Sequence, residues 1–224
     1  MGDNHKTKNF DSRIEETLKN NGYINYDNAL IKSFPLPFPY KEKIIENYKR
    51  YAQSAFYEEA GLNQMKWQEG LDKLAYIAEK ESIVWWTTGK ILLPLNGVKA
   101  DIDDVDFYFY EKDLKAVYNA FQEYIIEPII CGGSRSDSFK YNGQAYIYCT
   151  VCMLAEPTDI ESLDIPEPVH FGQYAMKNLK VFNWNGHKIK APPIELYIRT
   201  LERWGKMEQA EYIKNALLKK SRNC

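Results

Sequence analysis

Four aspartates within six residues, Asp101, Asp103, Asp104 and Asp106, run directly into the apolar stretch Val105–Tyr110. No other feature restricts the fold as strongly. A stretch this rich in Val, Phe and Tyr reads as a buried strand. Asp104 and Asp106 stand two residues apart at its mouth, so both carboxylates leave one face. Two carboxylates held that close repel each other unless a cation lies between them, and hard oxygen ligands of this kind suit Mg²⁺. The bland alternative is an acidic strand mouth that is simply solvated. An EF-hand is excluded by spacing: counted from Asp101, Asp106 stands where Gly is required and Lys112 where the bidentate Glu belongs. Asp101 and Asp103 lie before the strand and read as loop solvation or a cap.

Around this strand the chain reads as α+β, a core with helical extensions at both ends. Residues 1–80 form an N-terminal helical extension, 81–190 the core, and 191–224 C-terminal helices packing on the core. In the first part, Phe10–Lys19 is a short amphipathic segment, and 22–39 reads as loop because of the Phe34–Pro39 proline run. Tyr40–Ala60 and Asn63–Lys80 carry apolar residues at helical spacing, with Gly61 as a stop. In the core, Ile83–Trp86 reads as a short buried strand, Thr87-Thr88-Gly89-Lys90 as a turn and Ile91–Leu95 as a short helix. Lys112–Tyr124 is an amphipathic helix. Asn142-Gly143 and Asn185-Gly186, each flanked by alternating residues, predict two hairpins. Glu156–Pro168 is an acidic, proline-punctuated connection, and the tail is two helices hinged near Trp204-Gly205.

Composition narrows the function classes. The formal net charge of -2 supplies no basic field for nucleic acid. No apolar run approaches the roughly 20 residues that span a bilayer. The start, Met-Gly-Asp-Asn-His-Lys, has no apolar signal core, and Lys6 stands where a myristoylation motif wants Ser or Thr. Four cysteines in 224 residues do not make a disulfide scaffold. A cytoplasmic location is the expectation. Cys149 and Cys152 lie three apart in an expected strand and face opposite sides, so they cannot chelate one ion. His5, His170 and His187 form no triad or zinc pattern.

The order of pieces resembles the nucleotidyltransferase superfamily, the DNA polymerase beta-like fold. A strand (Trp85-Trp86) leads to a glycine turn (Thr87-Thr88-Gly89-Lys90), then a short helix ending at Leu95-Asn96-Gly97, then Asp104-Val105-Asp106 entering the next strand. The flavour is similar to small antibiotic-modifying, lincosamide-type nucleotidyltransferases, and the resemblance covers roughly 83–153.

That resemblance implies that the α+β core is a mixed sheet flanked by helices. It also implies a Mg²⁺-dependent transfer of a nucleotidyl group from an NTP to a hydroxyl of a small-molecule acceptor. Asp104 and Asp106 would be catalytic and would bind two Mg²⁺ ions. Thr87, Thr88, Gly89 and Lys90 would hold the nucleotide phosphates, with Lys90 either adding charge or filling the cradle. The family's third carboxylate aligns with Ile147 or Tyr148, neither of which is an acid. If Asn142-Gly143 is a two-residue turn, Asp137 sits opposite Tyr148 and replaces that acid, with Arg135 nearby for phosphate. The alternatives are a catalytically impaired relative that binds nucleotide or a protein partner, and a partner-binding protein using the aromatic helices before residue 80. Arg203 and Lys206, the basic residues of a stretch that resembles the family's helical region after the core, read either as ordinary helix surface or as neighbours of the triphosphate.

Overall fold

The structure, a computed structural model, describes residues 11–34, 36–110, 113–131, 136–142, 146–152, 175 and 177–222, without side chains at 110, 129–131, 136–142 and 146–152. Arg135, the Gly143 turn position and the Glu156–Pro168 connection lie outside the described residues.

The helices are α1 (Ser12–Asn20), α2 (Lys41–Glu59), α3 (Trp67–Lys80), α4 (Leu92–Leu95), α5 (Leu114–Phe121), α6 (Ile194–Arg203) and α7 (Met207–Arg222). The strands are β1 (Ile24–Tyr26), β2 (Ala29–Ile31), β3 (Trp85–Trp86), β4 (Val105–Tyr110), β5 (Ile125–Cys131), β6 (Ser136–Asn142), β7 (Tyr146–Cys152), β8 (Lys180–Trp184) and β9 (His187–Ala191). β3 to β7 form one mixed sheet in the order β3-β4-β7-β6-β5, with β4 parallel to β7 and the other pairs antiparallel. The protein is therefore α+β, as its patterning predicts.

Past Asp106, strand β4 is buried on both sides, which explains the apolar run Phe107-Tyr108-Phe109. Val105, Phe107 and Phe109 enter the main core with Leu71, Leu74 and Ala75 of α3, and Val117 and Phe121 of α5. Tyr108, on the alternate face, stacks on Trp86 at 6.0 Å between ring centroids. The helices thus cover one face of β4, and the other face carries Asp106. β5 is an edge strand and contains Pro128, which an interior strand would not tolerate.

Two departures from the sequence reading have local causes. The segment 22–39 contains the β1–β2 hairpin, with Tyr26 opposite Ala29. Its turn residues Asp27 and Asn28 both take positive φ, 47° and 62°, doing without glycine what Asn-Gly does elsewhere. The β6–β7 hairpin pairs Tyr141 with Ile147 and Asn142 with Tyr146, so three residues, not two, separate its strands. By contrast, Trp184 pairs with His187 around Asn185-Gly186, as expected.

A buried ion pair ties the β1–β2 hairpin to the sheet. Lys32 Nζ donates to Glu127 Oε2 at 2.8 Å, with side chains only 10% and 3% exposed. The Tyr23 hydroxyl donates to Glu127 Oε1 at 3.1 Å. Burial, then the Glu127 charge, holds the Tyr23 phenol well above its usual range. Breaking one partner strands a charge in the interior. Glu127→Leu is expected to cost about 3 kcal/mol, and adding Lys32→Met to recover most of it. Urea denaturation of the two variants checks this; equal loss in both would mean the pair's charges are not the cause.

Candidate functional site

The site is assembled by the end of β3, the turn after it and the mouth of β4. Thr87 is fully buried. Its N–H donates to the Lys190 carbonyl at 2.9 Å, and its hydroxyl to the Asp106 carbonyl at 2.7 Å. The Thr87 hydroxyl therefore fastens the turn to β4 and has no proton left for a phosphate. Thr88 is 1% exposed, and its Oγ1 has no hydrogen-bond partner among the described residues. A buried hydroxyl without a partner costs free energy unless something else meets it. Gly89 follows at φ +66° and opens a 3-10 turn, Gly89–Ile91, that continues into α4.

The Asp106 carboxylate lies directly against Gly89. A Cβ at position 89 would strike Asp106 Oδ2, and Asp106 Cγ is 3.6 Å from where that Cβ would sit. Glycine is required here twice over, by its φ and by this approach. Asp104 and Asp106 are both half-buried, while Asp103 is exposed. Burial, with Asp103 as the next cause, pushes the Asp104 carboxyl up to about 6 from 3.8, against a lowering pull from Lys90. Burial and then the Asp104 charge push Asp106 well above the ordinary carboxylate range. Lys90 is engaged by Asp103 across the turn.

Among the described residues, no group of three or more His, Cys, Asp or Glu side chains is arranged to hold a metal ion. The donor set is two carboxylates. That fits a hard divalent cation that completes its shell with water and phosphate oxygens rather than with protein.

The third position is a matter of register. β4 and β7 run parallel, with Asp106 beside Tyr148. The two-residue turn expected at Asn142-Gly143 would have set Asp137 opposite Tyr148; instead Lys140 pairs with Tyr148, and Asp137 with Val151. Position 151 is three residues along β7, about 10 Å, and by alternation belongs to the other sheet face. A connection that starts one residue later and is one residue longer thus removes the pairing argument for Asp137.

Sequence reading missed Tyr197, on α6. It is half-buried, and burial, followed by Asp103, Asp104 and Asp106, raises its phenol to about 12. It lines a cavity of about 310 Å³, together with Lys90 and Asp101 beside the acids and Glu208 on α7. A tyrosine one turn into an amphipathic helix carries no local signal that it will meet a distant strand mouth.

No protein-family model matches the chain. No curated protein matches it in sequence. Among solved structures, a candidate nucleotidyltransferase from Thermotoga maritima is similar at 16% identity and a TM-score of 0.49, over 69% of this chain and 94% of that one. A likeness at this level says nothing about chemistry.

Proposed function

We propose that the protein binds a nucleoside triphosphate with Mg²⁺ and transfers its nucleotidyl group to a hydroxyl of a small molecule, releasing pyrophosphate. The observation that carries this reading is the Asp106 carboxylate packed on the Gly89 backbone, beside the partnerless hydroxyl of Thr88. Polyphosphate binding needs backbone that can be approached closely and hydroxyl donors. Nucleotidyl transfer also needs acids that gather cations at the same place. This turn juxtaposes both.

Asp104 and Asp106 would hold the Mg²⁺, which supplies charge neutralisation at the phosphate oxygens. The chain's own part is positioning. Thr88 donates to a phosphate oxygen, Gly89 lets the Asp106 carboxylate and the cation it would hold approach the turn, and Thr87 keeps the turn fixed on β4. Lys90, engaged by Asp103, stands at the rim of this site.

One observation favours a second reading, in which nucleotide is bound but not turned over. Position 148, beside Asp106 on the adjacent strand, is a tyrosine rather than an acid. Calorimetric titration of each NTP with and without Mg²⁺ tests binding, and pyrophosphate release with hydroxylated acceptors tests transfer. Mg²⁺-dependent binding with release supports the transferase. Binding without release under every acceptor supports the second reading, and no Mg²⁺-dependent binding defeats both.

A further inference from the structure

A triphosphate brings negative charge to a place already rich in it. Asp101, Asp103, Asp104 and Asp106 all belong to this strand mouth, and the lysine of the turn, Lys90, is engaged by Asp103. Mg²⁺ offsets part of that charge and leaves the phosphate oxygens in want of a further cationic donor.

The β8–β9 hairpin brings a lysine to the turn. The Thr87 N–H donates to the Lys190 carbonyl at 2.9 Å, so Lys190 is the hairpin residue set against the start of the turn. The Thr87 hydroxyl donates to the Asp106 carbonyl, which links Lys190, Thr87 and Asp106 in one row. Alternation decides which way the Lys190 side chain leaves. Ile189 packs in the main core with Trp85, Val105 and Phe107, and Ala191 packs with Leu92 and Ile198. Residue 190 lies between them and departs on the opposite side, the side of β4 on which Asp106 stands.

The charge of Lys190 is not taken up within the fold. It is exposed and has no ion-pair partner among the described residues. Its cross-strand neighbour on the same hairpin face is Val181 rather than an acid. The nearby acids are occupied: Glu195 lies 3.9 Å from Lys180, and Glu79 lies 2.8 Å from His187 at the hairpin tip. Lys188 shares the face of Lys190 but stands two residues farther from the turn, about 7 Å along the strand.

We propose that Lys190 is a polyphosphate-binding residue of this site, its four-carbon stem carrying the ammonium over the turn to the phosphate oxygens. For the nucleotide this rests on the transferase reading; for a bare phosphate chain it does not.

The test uses the full chain and two probes with Mg²⁺, tripolyphosphate and each NTP, titrated calorimetrically at low and at moderate salt. Lys190→Met should weaken both probes at least about tenfold and flatten the salt dependence of binding. Lys190→Arg, which keeps the charge, should retain most of the affinity. Lys188→Met, the control on the same face, should change it less than about threefold. Both positions are exposed, so melting temperatures should match the wild type. Unchanged affinity in Lys190→Met would overturn the proposal, and so would an equal loss in Lys188→Met, since a diffuse surface charge would then be the cause. Tripolyphosphate held through Lys190 with no NTP bound would keep this residue's role and end the nucleotidyl reading. NTP bound equally well whatever stands at position 190 would keep that reading and end this one. Neither probe bound by the wild type would end both.

Discussion

Asp104→Asn is expected to raise the melting temperature of the metal-free protein at pH 7.5 by about 5 °C, while abolishing Mg²⁺-dependent NTP binding. The cause is the price of holding two acids together. In the unfolded chain the Asp104 carboxyl ionises near 3.8; in the folded protein burial and its neighbours lift it to about 6. A raised carboxylate makes the folded state bind more protons than the unfolded one, so stability falls as pH rises. The favourable increment is complete below 3.8, is lost as pH climbs through about 6, and stays lost above. The full shift corresponds to about 3 kcal/mol, and partial exposure of Asp104 reduces it to about 2. Asparagine has no charge to desolvate, so the variant should show no such loss over that pH window. Asp106, raised by burial and by Asp104, should respond in the same direction when replaced by Asn. In the wild-type protein Mg²⁺ should recover the lost stability by binding only the folded state. Thermal melts across pH 4 to 8, with and without Mg²⁺, read all of this. A lower melting temperature for both variants at pH 7.5 would show that other groups already compensate the acids, and the cation site would lose its rationale.

Gly89→Ala should be the most damaging added methyl among the described positive-φ glycines. Alanine at φ +66° costs roughly 1–2 kcal/mol from backbone conformation alone. Its Cβ must also displace the Asp106 carboxylate, and that second effect falls on function. Gly61 is the matched control, since its φ is also +66° but nothing lies within 4 Å of its Cβ position. Gly61→Ala therefore pays the conformational cost and touches no site. If the two variants lose similar stability but only Gly89→Ala weakens NTP binding, by about 2 kcal/mol or roughly thirtyfold in Kd, the contact with Asp106 is the reason. Nucleotide affinity unchanged in Gly89→Ala would remove the turn from the site.

Much of the fold is legible because its signals are local. Strand β4 runs over Val105–Tyr110, as expected, since Val105 and the aromatic run after Asp106 are buried and mark its extent. The Asn185-Gly186 hairpin closes in its expected register, because both residues accept positive φ, 46° and 88°, and two such residues specify one turn. The β6–β7 register could not be read the same way. Asn142-Gly143 carries the same dipeptide, yet the strands stop at Asn142 and resume at Tyr146. The connection begins one residue later than expected and is one residue longer, which together move the partner of Asp137 three positions, from Tyr148 to Val151. A strand's period of two turns a small error in turn length into a change of side. β5 went unread because Pro128 and the bulged pairing around Glu127 interrupt its pattern.

By itself, the sequence determined that two acids open a buried strand downstream of a glycine turn, since residues two apart along a strand share a face whatever else the chain does. Only the tertiary structure decided that Gly89 lies on Asp106, that Thr87 spends its hydroxyl on β4, and that Tyr197 and Glu208 arrive from the C-terminal helices to wall a cavity. Those meetings join residues far apart in the chain. They are set by how α6 and α7 pack their apolar faces on α4, through Leu92, Leu93, Ile198, Leu201 and Ile213, and such packing leaves no local pattern that would name its partner.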